Sequence, residues 1–332
     1  MKRRRELLAA AISIAAASGA AAQQGANRRR LAIVSPSEPS ALMVEDGSHR
    51  YYRVMFEELR RLGHIEGKNL TVERYGREQN SAGLAALLEQ VVRSKPDVIY
   101  AITPGTLIKS ATTTIPVVAL TADPIATGLV QSLARPGGNI TGVSVDTGPS
   151  IHGKRIELLR EAFPTMSGIA YVTVRPSWEA LQGPAMRAAA EAAGVRLLPK
   201  LLSFPASEAG YRTAIAEIPR DGAYAVMIGD GPAALAYRSA IVAAVAEVRL
   251  PAIYSFPESV EAGGLMAYSF DLTELNRRAA QDIDAILRGA NPGDIPFYQA
   301  STFILSINLK TARALDITFP PSILGRADEV LE

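Results

Sequence analysis

The sequence predicts an α/β protein built as two doubly wound, Rossmann-like lobes preceded by an export signal. Three observations predict it. Short apolar runs alternate regularly with amphipathic helical stripes, the pattern of parallel sheets covered on both faces. About ten such runs over ~300 residues exceed one ordinary sheet, so two lobes fit better than one. A faint internal repeat also divides the chain. Val98–Ile102, Thr103-Pro104-Gly105, a helix and Pro116-Val117-Val118 parallel Ala225–Ile228, Asp230-Gly231-Pro232, a helix and Pro251-Ala252-Ile253. Both units place Pro at a helix start and at a strand entry, positions that need no N–H. The prolines stand 12 and 19 residues apart, so the plan repeats and the sequence does not.

The N-terminus comes first in the chain and outside the fold. Lys2-Arg3-Arg4-Arg5 precedes an Ala/Leu/Ile run from Leu7 to Ala22 that ends Ala20-Ala21-Ala22. A positive start, a short apolar run and a small-residue end describe a secretory signal cleaved near Ala22. Arg4-Arg5-Glu6-Leu7-Leu8 also fits a twin-arginine signal. Residues 23–30 are polar and read as a flexible leader.

Leu31–Val34 is then a buried parallel strand. Tyr52, Met55, Phe56, Leu59 and Leu62 form a helical face that stops at Gly63. Leu70–Tyr75 alternates as a strand, and Leu84, Leu87, Leu88, Val91 and Val92 make a second helical stripe. Strands at 98–102 and 116–120 flank a short helix from Thr106, and Ile140–Val145 follows the turn Pro136-Gly137-Gly138-Asn139. The alternation restarts with a helix at 154–163 and a strand at 169–174. A helix at 178–193, a strand at 195–202, a helix at 207–217 and the strand Ala225–Ile228 follow. A helix over 233–248 leads to strands at 251–254 and 264–268. A helix bearing Leu275, Ala279, Ile283, Ile286 and Leu287 precedes Phe303–Ile307, read as the last strand.

Composition narrows the function. Hydrophobic residues are 48% and charged residues 20% of 332, enough apolar material for packed cores. The formal net charge is +2, against the basic stripe of a nucleic-acid protein. Removing Lys2, Arg3, Arg4, Arg5 and Glu6 with the signal leaves 31 basic and 32 acidic residues, a net of −1. With no cysteine there is no disulfide, no thiolate catalysis, no Cys-ligated metal and no cysteine-linked lipid anchor. The expectation is an unanchored periplasmic protein without cofactor or metal. Catalytic signatures fail as well: there is no G-x-S-x-G, P-loop, G-x-G-x-x-G or H-E-x-x-H, and no carboxylate pair stands out as acid and base.

Ligands of open parallel sheets bind beyond the carboxyl ends of the strands. That rule selects Ser35 and Ser37 after the first strand, Thr103, Gly105 and Thr106 after the third, and Thr121 and Asp123 after the fourth. In the second half it selects Arg175, Trp178 and Asp230. Each residue has a plainer reading beside the functional one. Thr103 and Asp123 suit turns and caps, and Trp178 suits a surface cover as well as a stacking platform. Asp123 and Asp230 are candidate acceptors for a ligand ammonium. His49 and His64 read as solvated and His152 as a residue of a connection. An exported, two-lobed chain without catalytic apparatus reads as a binding protein, not an enzyme.

Longer stretches carry a resemblance. Leu62-Gly63-His64-Ile65-Glu66-Gly67-Lys68-Asn69, Leu133-Ala134-Arg135-Pro136-Gly137-Gly138-Asn139-Ile140-Thr141-Gly142, Glu261-Ala262-Gly263-Gly264-Leu265-Met266 and Arg326-Ala327-Asp328-Glu329-Val330 are among them. On these the chain resembles the ABC-transporter substrate-binding proteins of the group with tryptophan- and tyrosine-binding members, of the type I periplasmic-binding fold. The resemblance implies two lobes joined by three crossovers, near 145–151, 256–268 and 294–302. The lobes are then expected over 31–146 plus 266–296 and over 147–265 plus 297–332. It implies closure on a small solute, amino-acid-like or aromatic and carboxylated, and a membrane permease and an ATPase as separate partners. It adds Ser255 and Glu258 to the second lobe's side of the cleft. Two departures bear on the solute: Ser35–Gly47 lacks a His-Pro pattern, and Arg175-Pro176-Ser177-Trp178 replaces an Asn-Pro-x-Asn-Pro loop. A sensory module presenting solute to a membrane receptor and an exported enzyme on the same fold are the alternatives.

Overall fold

Leu31, Ala32, Ile33 and Val34 are fully buried, because a central parallel strand is covered on both faces. A computed structural model describes residues 28–145, 148–218 and 224–332. The expected signal and residues 23–27 lie outside them. Strand β1 (Arg29–Val34) lies between β2 (Leu70–Tyr75) and β3 (Val98–Ala101), followed outward by β4 (Val117–Thr121) and β5 (Ile140–Ser144). The expected leader ends two residues early, since Arg29 and Arg30 belong to β1. Arg29 N donates to Asn69 O at 3.0 Å, and Arg30 N donates to Asp97 Oδ2 at 2.7 Å. Glu73 Oε1 accepts from Arg30 Nε at 3.0 Å, so a charged strand end is satisfied on the sheet rim.

The second sheet repeats the plan. β6 (Gly168–Val174) lies between β7 (Arg196–Leu202) and β8 (Tyr224–Ile228), then come β9 (Ala252–Tyr254) and β10 (Met266–Phe270). Both sheets therefore run second-first-third-fourth-fifth. The repeat visible in sequence is the third strand, its helix and the fourth strand of each. Two short strands escape the sequence reading. β11 (Tyr298–Gln299) pairs parallel with β5. Beyond β12 (Phe303–Asn308), which is antiparallel to β10, β13 (Glu329–Leu331) closes the second sheet. Two or three residues, partly exposed, leave no apolar run to read.

Gly142 shows how tightly β4 and β5 approach. Its φ is +147°, and a Cβ there would sit 2.0 Å from Ala119 O.

Among the helices are α1 (Arg50–Arg61), α2 (Leu84–Ser94), α3 (Gly105–Ala111), α4 (Gly148–Ala162), α5 (Gly183–Ala193), α6 (Glu208–Ala216), α7 (Arg238–Val248), α8 (Pro257–Glu261) and α9 (Leu272–Leu287). The expected helix over 233–248 breaks at Tyr237, whose φ of −100° and ψ of 15° leave the helical range.

Among the described residues the chain leaves one sheet for the other at three places: after Ser144, at Asp271, and at residues 300–302. The second passage corrects an expectation. Met266–Phe270 stays in the second sheet, in register with Ile253 on one side and Ile307 on the other. A tight return after α8 makes this possible. Gly263 adopts φ +107°, and a Cβ on Gly264 would lie 2.6 Å from Ser259 O. The first lobe's later segment thus begins at α9, not at 266, and extends through β11 past the expected end at 296. The passages are tied together: Ala300 N donates to Ser144 O and Asp271 N to Thr302 O, both at 3.0 Å. Asp271 also caps α9, accepting from Thr273 N and Glu274 N. α9 then packs on the first sheet through Leu275, Ala279 and Ile283, all fully buried, and Tyr100 OH donates to Asn276 Oδ1 at 2.8 Å.

Candidate functional site

The carboxyl ends of both sheets turn toward one another. The contact is visible where Arg50, which starts α1 after the β1 loop, meets Glu258 and Glu261 of α8, which follows β9.

In the first lobe the β1 loop folds over a buried carboxylate. Glu38 is 5% exposed. Tyr52 OH donates to its Oε2 at 2.6 Å, Ser35 Oγ to the same atom at 3.2 Å, and His49 Nε2 lies 2.9 Å from Oε1. Burial alone would raise the Glu38 pKa. The bond and charge of His49 and the Tyr52 and Ser35 hydroxyls outweigh it and hold the carboxyl below its ordinary range. Ser35 thus serves Glu38, with Ser37 half-buried beside it. Sequence reasoning missed Glu38 and placed His49 in solvent. A Tyr on the buried face of the next helix was the one signal for it. His64, also expected to be solvated, lies 2.7 Å from Asp284 Oδ1.

The β3 and β4 loops divide. Thr103 is buried and its Oγ1 has no hydrogen-bond partner, which leaves it available to a bound group. Gly105 packs against Leu129, which a Cβ would approach to 2.8 Å, and Thr106 is exposed. Thr121 is buried at the β4 end, and its carbonyl accepts from Val145 N. Asp123 is committed to its own turn: Oδ1 accepts from Ile125 N and Ala126 N, both at 2.8 Å.

The second lobe centres on Asp230, at the carboxyl end of β8. Arg155 grips it with two bonds, NH1 to Oδ2 at 2.9 Å and NH2 to Oδ1 at 2.8 Å, and Nε donates to Tyr268 O at 2.8 Å. Arg155 is wholly buried, while the Asp230 side chain keeps 18% exposure. The Asp230 carbonyl accepts from Gln182 Nε2, and Gln182 Oε1 accepts from Thr173 Oγ1. Burial pushes the Asp230 pKa up, but the charge and bonds of Arg155 win and hold it below the usual range. Beside it stand His152 and Tyr171, ring edge to ring face at 5.8 Å, with His152 Nδ1 and the Tyr171 hydroxyl buried and unpartnered. Burial lowers His152 to about 4, so it is neutral at pH 7. Arg155 was legible in principle. It stands four residues after Ile151 and four before Leu159, on a helix stripe otherwise apolar.

Two expected contacts lie elsewhere. Trp178 is 8% exposed and packs in the second lobe's core, 5.9 Å from the Tyr171 ring, with the Arg187 guanidinium 5.1 Å above it. Gly183 closes over the indole so tightly that a Cβ would come within 2.9 Å of the ring. A large apolar ring gains more from this burial than from solvent at the cleft. Arg175 is exposed and runs along its own helix toward Glu179 at 3.8 Å. Ser255 is buried and ties β9 to β8 by donating to Ile228 O at 2.6 Å. Glu258 is buried with Oε1 3.3 Å from Arg50 Nε. Among the described residues, no group of three or more His, Asp or Glu side chains is placed to hold a metal. None of the helices there is long and apolar enough to cross a membrane.

Comparison with known proteins agrees with this architecture. Residues 40–331 match the family of ABC transporter substrate binding proteins. A tyrosine-binding protein of Clostridioides difficile is 28% identical over 266 residues, 77% of this chain and 73% of that one. A conserved domain protein of Vibrio cholerae superposes with a TM-score of 0.79 at 23% identity, covering 92% of this chain and 99% of that one. An ABC domain from Streptococcus pneumonia in complex with L-Trp gives 0.76 at 25% identity, covering 92% and 100%. The chain belongs to the ABC transporter substrate binding protein family, whose members bind ligands and are not enzymes.

Proposed function

We propose that the protein is the periplasmic receptor of an ABC importer and that its lobes close on one small solute carrying an ammonium group, an amino acid with an aromatic side chain first among them. The observation that supports this best is Asp230: a carboxylate kept ionised by a buried arginine, yet partly open at the carboxyl end of a strand. A fixed anion of this kind accepts a donor without reorganising, which favours binding. The unpartnered Thr103 hydroxyl offers the first lobe a second polar contact, so a solute touching both would stabilise the closed arrangement. The tyrosine-binding and L-Trp-bound relatives support the same solute class. The signal-like N-terminus supports export, and a permease with its ATPase would receive the solute.

Thermal-shift screening of the mature chain against amino acids, aromatic acids and dicarboxylates tests this reading. The expected outcome is stabilisation by an aromatic amino acid that is recovered unchanged. Stabilisation by dicarboxylates alone, or chemical conversion of the solute, would contradict it.

A further inference from the structure

We infer that Arg50 is an electrostatic latch that holds part of the receptor population closed without any solute. Arg50 opens α1 directly beyond the β1 loop, and Glu258 and Glu261 lie on α8, directly beyond β9. Its Nε lies 3.3 Å from Glu258 Oε1 and its NH2 donates to Glu261 Oε1. Among the described residues, every other ion pair stays within one lobe. The three partners differ in environment. The Arg50 side chain is 34% exposed, Glu261 46% and Glu258 10%. A half-shielded cation facing one nearly buried and one open carboxylate is screened less than a surface pair. Tyr51 adds to the seam, next to the same Glu258.

Among the described residues the chain itself passes between the sheets at three places, so an added bond across the carboxyl ends biases which arrangement is populated. The bond spans the two lobes and owes nothing to the solute, so an opening that parts α1 from α8 breaks it. It therefore shifts the equilibrium before binding and removes part of the penalty a solute would otherwise meet. The same bond opposes reopening, so affinity and release are set together by one arginine.

The chain contains no cysteine, which makes distance labelling direct. Leu107 and Phe204 are exposed, at 41% and 48%, in the loops and helix starts beyond β3 and β7, one on each lobe. Spin labels on Leu107→Cys and Phe204→Cys, read by pulsed electron resonance without solute, report the closed fraction. At low salt a short-distance population is expected. Arg50→Gln is expected to cut it about threefold to tenfold, as losing a partly shielded pair of ~1 kcal/mol implies. Raising salt to screen the pair is expected to act in the same direction. Glu258→Gln with Glu261→Gln should match Arg50→Gln, and the triple variant should add nothing further. An unchanged distance distribution in Arg50→Gln, or only long distances in the unaltered chain, overturns the latch. Should Arg50→Gln fail to fold, the exposed Glu261→Gln variant carries the same test. All arms are solute-free, so failure to find a solute leaves the result intact.

Discussion

The two lobes share one strand plan but hold their buried carboxylates differently. In the first, Glu38 is sealed under the β1 loop and satisfied by two hydroxyls and an imidazole. In the second, Asp230 is gripped by a permanently charged, fully buried guanidinium and keeps one side open. The contrast separates two uses of the same topological position. Glu38 organises a loop. Asp230 is presented, and Arg155 holds its carboxyl below the ordinary carboxylate range. A buried ion pair is a weak source of stability against an apolar replacement, but removing one partner strands the other. The second lobe is therefore the more brittle of the two.

That comparison can be broken first at Arg155. Arg155→Met strands Asp230 in the second lobe and is expected to destabilise the protein by about 3–5 kcal/mol. The double change with Asp230→Leu should recover most of it, as calorimetric melting of both variants would show. A single variant as stable as the unaltered chain would remove the distinction between the lobes.

Acid sensitivity comes next. Folded His152 holds its proton only below about 4, whereas the unfolded chain takes one up near 6.5. The unfolded state binds more protons between these values, so stability falls as pH drops from 6.5 toward 4, by about 2–3 kcal/mol in total. His152→Gln should flatten the melting temperature across that window. Glu38 and Asp230 act lower: their folded pKa values lie below the ordinary ones, so their contributions are present above about 4.5 and 3.8 and vanish as pH falls further.

The first lobe is expected to be milder. Tyr52→Phe removes one donor from a buried carboxylate and should cost about 1–3 kcal/mol in denaturant titration. A loss as large as that of Arg155→Met would mean that Glu38, too, depends on one dominant partner. Smallest of all is Arg175→Ala. Its exposed pair with Glu179 should matter by no more than about 0.5 kcal/mol, and solute affinity should not change. A clear loss of affinity would return Arg175 to the cleft.

Much of the fold was legible because its signals are local. Leu31–Val34 and Val98–Ile102 are continuous apolar runs, and Pro104 and Pro232 mark helix starts in both lobes. β11 and β13 were not legible, since two or three half-exposed residues join a sheet only through neighbours far along the chain. Met266–Phe270 was assigned to the wrong lobe for a related reason: a strand's pattern states that it is buried, not in which sheet. The site was legible by position but not by role. The strand-end rule reached Ser35, Thr103 and Asp230, yet it also reached Asp123, which serves its turn, and Trp178, which serves the core. It did not reach Arg155 or Gln182, which lie on helices, and it passed over Glu38 beside Ser37, whose partner Tyr52 stands 14 residues on.

The role of Asp230 is tested most directly by titration calorimetry of the mature chain with the aromatic amino acid that stabilises it, beside the same molecule lacking its amino group. One-to-one binding of the amino acid is expected, with the deaminated analogue weaker by about tenfold to a hundredfold, the worth of a charged hydrogen bond. Equal affinity for both would contradict an ammonium held by Asp230.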